Sequence, residues 1–272
     1  MFCVNAVWYG DLRNLADVER FIDNRRTFAD PGHPSPGGVV LAGLDALLPI
    51  MDPNLLKFPN LCNAYFSLVS ILAEIHPDHI ARLPEPLFGR LVSTLEYGIV
   101  DQVSISVAQS SLESLQHLAT WHYKEVQRAE RGEGGGEGGR KPDEGVGVVG
   151  LGPLATTPLP SLGGERVFSY FLFKLIKNLI FDDCPAELID CAADVILPML
   201  LSDPEGFQTC GQSLLASMSQ FDPAARDKVI AALNMVIHPD VTNASLERQN
   251  RRKFRQTLHD FFVVTRGVLR TR

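Results

Sequence analysis

The sequence contains no C-x-x-C pair, and its five cysteines, Cys3, Cys62, Cys184, Cys191 and Cys210, are scattered and odd in number. This argues against a disulfide framework and fits a reducing compartment, where thiols act as small apolar side chains. Long apolar runs are also missing. Val167–Phe181 is interrupted by Lys174 and Lys177, and Val195–Leu201 is short and holds Pro198. A membrane-spanning helix needs about 20 apolar residues, so no span is expected. Met1–Gly10 lacks a basic start and is followed at once by Asp11 and Arg13, so no signal peptide is expected either. There is no surplus of positive charge. The net charge of −7 gives no general attraction to a phosphate backbone and excludes nucleic-acid binding as the default expectation.

Catalytic signatures are lacking too: no G-x-S-x-G, no Walker loop, no H-E-x-x-H. Gly145-Val146-Gly147-Val148-Val149-Gly150 matches G-x-G-x-x-G literally. A dinucleotide site needs that motif between a strand and a helix, and Pro153, Pro158 and Pro160 forbid the helix. His76 and His79 flank Pro77 with no carboxylate or cysteine to complete a metal shell. Cys184 and Cys191 stand two helical turns apart, about 10 Å, too far for a disulfide, and are read as core. His117 and His122 lie near Trp121 and Tyr123. An acid–base pair with Glu113 would still lack a nucleophile and an oxyanion hole. No catalytic, cofactor-binding or metal-binding residue is expected, no partner-binding residue can be assigned, and the chain does not read as an enzyme.

What is present is a core-forming composition, 45% hydrophobic against 21% charged, without the bias of a disordered chain. The apolar residues recur at helical spacing, and no segment sustains alternation. Residues 1–38 are poorly defined: Leu12, Leu15, Val18, Phe21 and Ile22 keep a helical period until Asp30–Gly38 breaks it. Then Val40, Leu44, Leu47, Leu48 and Met51 mark one stripe, followed by helices over Asn54–Ile75, Pro86–Ile99 and Ser104–Val126. The Gly-rich Arg131–Arg140 opens a loop over 128–163 that should be disordered and dispensable. Helices resume over Val167–Ile180, Pro185–Leu201, Pro204–Phe221, Pro223–Ile237 and Ser245–Leu269. Cys184-Pro185, Asp203-Pro204 and Asp222-Pro223 read as helix starts. The sequon Asn243-Ala244-Ser245 reads as another. Helical repeats over 39–127 and 164–272, eight or nine helices in all, predict an all-α solenoid of HEAT type, with an irregular helical bundle as the alternative. Phe58 and Leu61 are expected to be buried between helices.

Arg248, Arg251, Arg252, Lys253 and Arg255 form the one basic cluster, on a last helix whose Leu246, Phe254, Leu258, Phe261 or Phe262, Thr265 and Leu269 make an apolar face. The solvated face of a terminal capping helix accounts for it. A localisation signal or a site for an acidic partner stays open beside that reading.

Leu48-Pro49-Ile50-Met51, Leu55-Leu56-Lys57-Phe58-Pro59, Leu61-Cys62-Asn63, Tyr65, Glu74-Ile75, Leu83-Pro84-Glu85 and Leu95-Glu96 carry a resemblance to the C-terminal part of the exportin-4 family. These are nuclear export receptors of the importin-β (karyopherin-β) superfamily. The match is closest over Val39–Ile99 and looser over Val167–Leu269. The sister exportin-7 family is similar in the same region. The resemblance implies ARM-type helical repeats, no cofactor, protein cargo held together with Ran-GTP, and contact with nuclear pore proteins. It also implies shuttling between nucleus and cytoplasm, with cargo such as the hypusine-containing translation initiation factor. Receptors of this family are several times longer and contact Ran largely through N-terminal repeats, so the chain alone is expected to bind Ran-GTP poorly.

Overall fold

The computed structural model describes residues 36–100, 104–131, 150–156, 158–181, 184–217, 223–236 and 246–269. Nearly all of residues 1–38, the Gly-rich run 132–149, Cys3 and the sequon at 243–245 therefore lie outside the described residues. Those described are helical, with no strand and one isolated antiparallel bridge between Leu159 and Glu165.

Among the described residues, nine helices have twelve residues or more: α1 (Pro36–Leu47), α2 (Pro59–Ile75), α3 (Glu85–Val100), α4 (Ile105–Glu130), α5 (Val167–Phe181), α6 (Ala186–Ser202), α7 (Pro204–Ser217), α8 (Pro223–Val236) and α9 (Arg248–Leu269). Their starts follow local chemistry. Ser104 caps α4 by accepting the Val107 amide at 3.2 Å, and Asp203 caps α7 by accepting the Gly206 amide at 3.0 Å. Proline occupies the first position of α1, α2, α7 and α8, where its missing N–H removes no helix bond. Pro185 is instead the extended N-cap of α6, which begins one residue later than expected.

The second helix does not begin at Asn54. Asp52 Oδ1 accepts the amides of Asn54 and Leu55 at 2.9 and 2.8 Å, and a single 3-10 turn, Leu55–Lys57, follows. Phe58 is then extended, because the ring of Pro59 disfavours helical backbone in the residue before it. The expected burial of Phe58 and Leu61 is accordingly overturned. Phe58 precedes the helix and is 62% exposed, and Leu61, at 38%, sits one position off the stripe Cys62, Tyr65, Phe66, Val69 and Ala73 that enters the core.

Part of the expected loop over 128–163 is packed. α4 continues to Glu130, and Leu151, Leu154, Leu159 and Leu162 are buried. Prolines do not prevent helical turns here. Pro153 opens the turn Pro153–Thr156, which packs on α5, and Pro160 opens the 3-10 turn Pro160–Leu162, which packs on α3. All of this joins one contiguous apolar core.

The helices pack in two sets. α2, α4 and α6 lie side by side, with α9 against α6, and α3, α5 and α7 form the second set. α3 crosses to α4 and α5 to α6. Gly98 permits one close approach, since a Cβ there would stand 2.2 Å from Ser111 Oγ on α4 and 2.9 Å from the Phe66 ring on α2. The last helix contacts α5, α6 and α8.

Candidate protein-interaction surface

The connection between α1 and α2 is the most apolar exposed region among the described residues. Leu47, Ile50, Phe58 and Leu61 are exposed within fifteen positions, and Ile50 and Phe58 are each about 60% accessible. The same connection is firmly built. Leu48 and Leu56 are buried, the Asp52 turn sets its path, and Arg90 of α3 donates to the Pro49 carbonyl at 3.2 Å. A cleft of about 200 Å³ lies between it and α3, lined by Leu48, Met51, Leu56, Arg90, Thr94 and Tyr97. Below it, the Tyr65 hydroxyl and Thr94 share a 2.8 Å hydrogen bond, and burial pushes the Tyr65 phenol up to about 12. Rigid backbone carrying exposed apolar side chains is what a protein-binding surface requires, since little ordering entropy is then lost on docking.

The basic cluster on α9 divides in two. Arg255 makes a two-pronged contact with Asp194 of α6, and Arg251 Nε donates to the Leu246 carbonyl at 3.0 Å. Arg266, further along, donates to the Leu179 carbonyl at 2.7 Å. Arg248, Arg252 and Lys253 are exposed and make no ion pair among the described residues. The helix is thus fastened to α5 and α6 by some of its cations and presents others outward.

The histidines have separate surroundings. His122 is buried on α4, about two turns before its end, meets the Phe168 ring at a tilt with centroids 5.3 Å apart, and accepts the Leu151 amide on Nδ1 at 3.0 Å. Burial lowers its pKa to about 4, so it is a neutral acceptor. Gly150 is needed beside it: its φ is +61°, and an added Cβ would fall 2.4 Å from Nδ1. His117 is lowered by burial, opposed by Glu74 and Glu113. Ser70 on α2 donates to Glu113 at 3.3 Å, so the hydroxyl serves the carboxylate and not an imidazole. No acid–base pair with a poised nucleophile is assembled from these residues.

His76, Asp78 and His79 are brought together in the turn Pro77–Ile80, with donor atoms within 4.8 Å of one another. The sequence reading found no carboxylate for this pair. Asp78 supplies one, because a single helical turn gathers consecutive residues that an extended chain would separate. Cys184 and Cys191 do not share a helix, since α6 starts at Ala186, and both are half-buried against the core rather than within it. Burial raises the thiols of Cys62, Cys191 and Cys210, the last to about 12, so none of these is a ready nucleophile.

Two polar groups escaped the sequence reading. Glu96 of α3 accepts the Tyr170 hydroxyl and pairs with Lys174 at 2.9 Å, joining α3 to α5. Asp203, beyond capping α7, accepts Ser169 at 2.6 Å and faces Arg166 at 3.2 Å. The Asp-Pro signal revealed the cap; the partners at and just before the start of α5 carry no local signal. No helix among the described residues is long and apolar enough to cross a membrane. No protein-family model matches this chain, and no solved structure matches it.

Proposed function

We propose that this chain is a protein-binding stack of antiparallel helix pairs, of HEAT type, belonging to a nuclear export receptor that holds cargo together with Ran-GTP. The observation that carries the binding role is the alternate packing of α2, α4 and α6 in one set and α3, α5 and α7 in the other. Stacked pairs of this kind expose long faces whose shape depends only on neighbouring helices, which suits them to gripping proteins. The exposed Ile50 and Phe58, on a braced connection, are the apolar contacts such a surface would use. The transport role rests on the resemblance over Val39–Ile99. The exportin-7-like reading and a scaffold without transport are its alternatives.

Pull-down against Ran loaded with GTP or GDP tests the transport role. Weak capture that favours the GTP form is expected, since only a transport receptor discriminates between the nucleotides. Equal capture of both forms, or of neither, would leave the scaffold. Phe58→Asp is expected to reduce capture of protein partners without changing the helical circular dichroism spectrum.

A further inference from the structure

We propose that His76, Asp78 and His79 form a binding site for a zinc-class divalent ion at the turn between α2 and α3. His79 Nδ1 lies 3.1 Å from Asp78 Oδ2. Nδ1 is nevertheless buried and without a hydrogen-bond partner, so the carboxylate oxygen stands beside the nitrogen rather than in line with it. A buried ring nitrogen beside a carboxylate but out of line with it forgoes a hydrogen bond, which is unfavourable. Two donors side by side without a shared proton are also the arrangement of neighbouring ligands on one metal. With zinc–ligand bonds of about 2.0–2.1 Å, adjacent donors in a tetrahedral shell stand about 3.3–3.4 Å apart.

The third donor is at hand. The His76 and His79 rings meet edge to face with centroids 5.2 Å apart, and all three donors lie within 4.8 Å of one another. Closing the shell takes side-chain rotation only, because the backbone is already fixed. His76 O accepts the amides of His79 and Ile80 at 3.1 and 3.2 Å, Pro77 O accepts that of Ala81 at 3.0 Å, and the buried Ile80 anchors the turn. The turn packs against α1, α2 and α4. Asp78 is 44% exposed, which leaves water access to a fourth position. Arg82, 4.0 Å from Asp78 and 66% exposed, is the cation that a metal would displace. Two imidazoles and one carboxylate favour zinc, and also nickel or copper, over calcium or magnesium, which require more oxygen ligands.

Equilibrium titration of the full chain with zinc, in competition with a chromophoric chelator, tests the site. One zinc per chain is expected, with a dissociation constant near or below about 10 µM. His76→Gln and His79→Gln should each weaken binding at least about tenfold while leaving the helical circular dichroism unchanged. Asp78→Asn, at an exposed position, provides a variant that does not depend on folding at the histidines. Cobalt in place of zinc should give a spectrum without the thiolate charge-transfer band. Failure to bind at about 100 µM zinc, binding undiminished in all three variants, or a thiolate band pointing to the cysteines would each overturn the proposal.

Discussion

Phe58 and Phe66 are the same side chain eight positions apart, and the structure gives them opposite roles. Phe66 is fully buried between α2 and α3, whereas Phe58 faces solvent. Phe66→Ala should lower stability by about 3–5 kcal/mol, while Phe58→Ala should stay within about 0.5 kcal/mol of the parent, as urea unfolding would show. A large loss at Phe58 would mean that the connection before α2 is packed differently. His122 gives a second test at this scale. Its folded pKa, about 4, lies below the ordinary 6.5, so the unfolded chain binds the extra proton between these values. This residue's contribution is therefore complete above pH 6.5 and is lost as pH falls toward 4, by about 3 kcal/mol in all. Following unfolding midpoints across pH 7 to 4 should show that slope flattened in His122→Asn. An unchanged slope would mean that other groups govern acid sensitivity.

Between Leu151 and Leu162 the elements are too short for periodicity to reveal. The prolines and glycines there suggested a loop, yet four leucines enter the core. Leu159→Ala and Leu162→Ala should each cost about 2–5 kcal/mol, measured by thermal or chemical denaturation. Neutral effects would restore the dispensable loop. Asp203 belongs to the same scale, because one carboxylate caps α7 and holds Ser169 of α5 and Arg166 just before it. Asp203→Ala should cost more than the ~1 kcal/mol of an ordinary cap, since it strands those partners as well. The long helices were legible because they repeat an apolar stripe over many turns and begin at Asp, Ser or Pro. Boundaries shifted where one residue ruled another, as Pro59 rules Phe58. The meeting of Glu96, Tyr170 and Lys174 was illegible for a different reason: it joins helices 74 positions apart, and nothing local encodes the partner. The gathering of His76, Asp78 and His79 was within reach of the sequence, had the turn been read as helical.

At the scale of the molecule, α9 packs back on helices well before it in the chain. Phe254, Leu258, Phe261 and Phe262 are buried where it meets α5, α6 and α8, and Arg255 and Arg266 tie it to Asp194 and Leu179. A chain ending before Arg248 should expose apolar faces of α5, α6 and α8 together and aggregate, as size-exclusion chromatography would register. A monomeric, fully helical product would show that the preceding helices are self-sufficient. The tether between His122 and Leu151 has a further consequence. It fixes where the chain returns to the body after α4, and α4 itself fixes where the chain leaves at Arg131. Both ends of the intervening stretch are therefore anchored independently of its length. The two ends are thus separate handles: releasing the Gly150 end, as His122→Leu would, should raise hydrogen exchange at the Leu151 amide and leave that of the Arg131 amide unchanged.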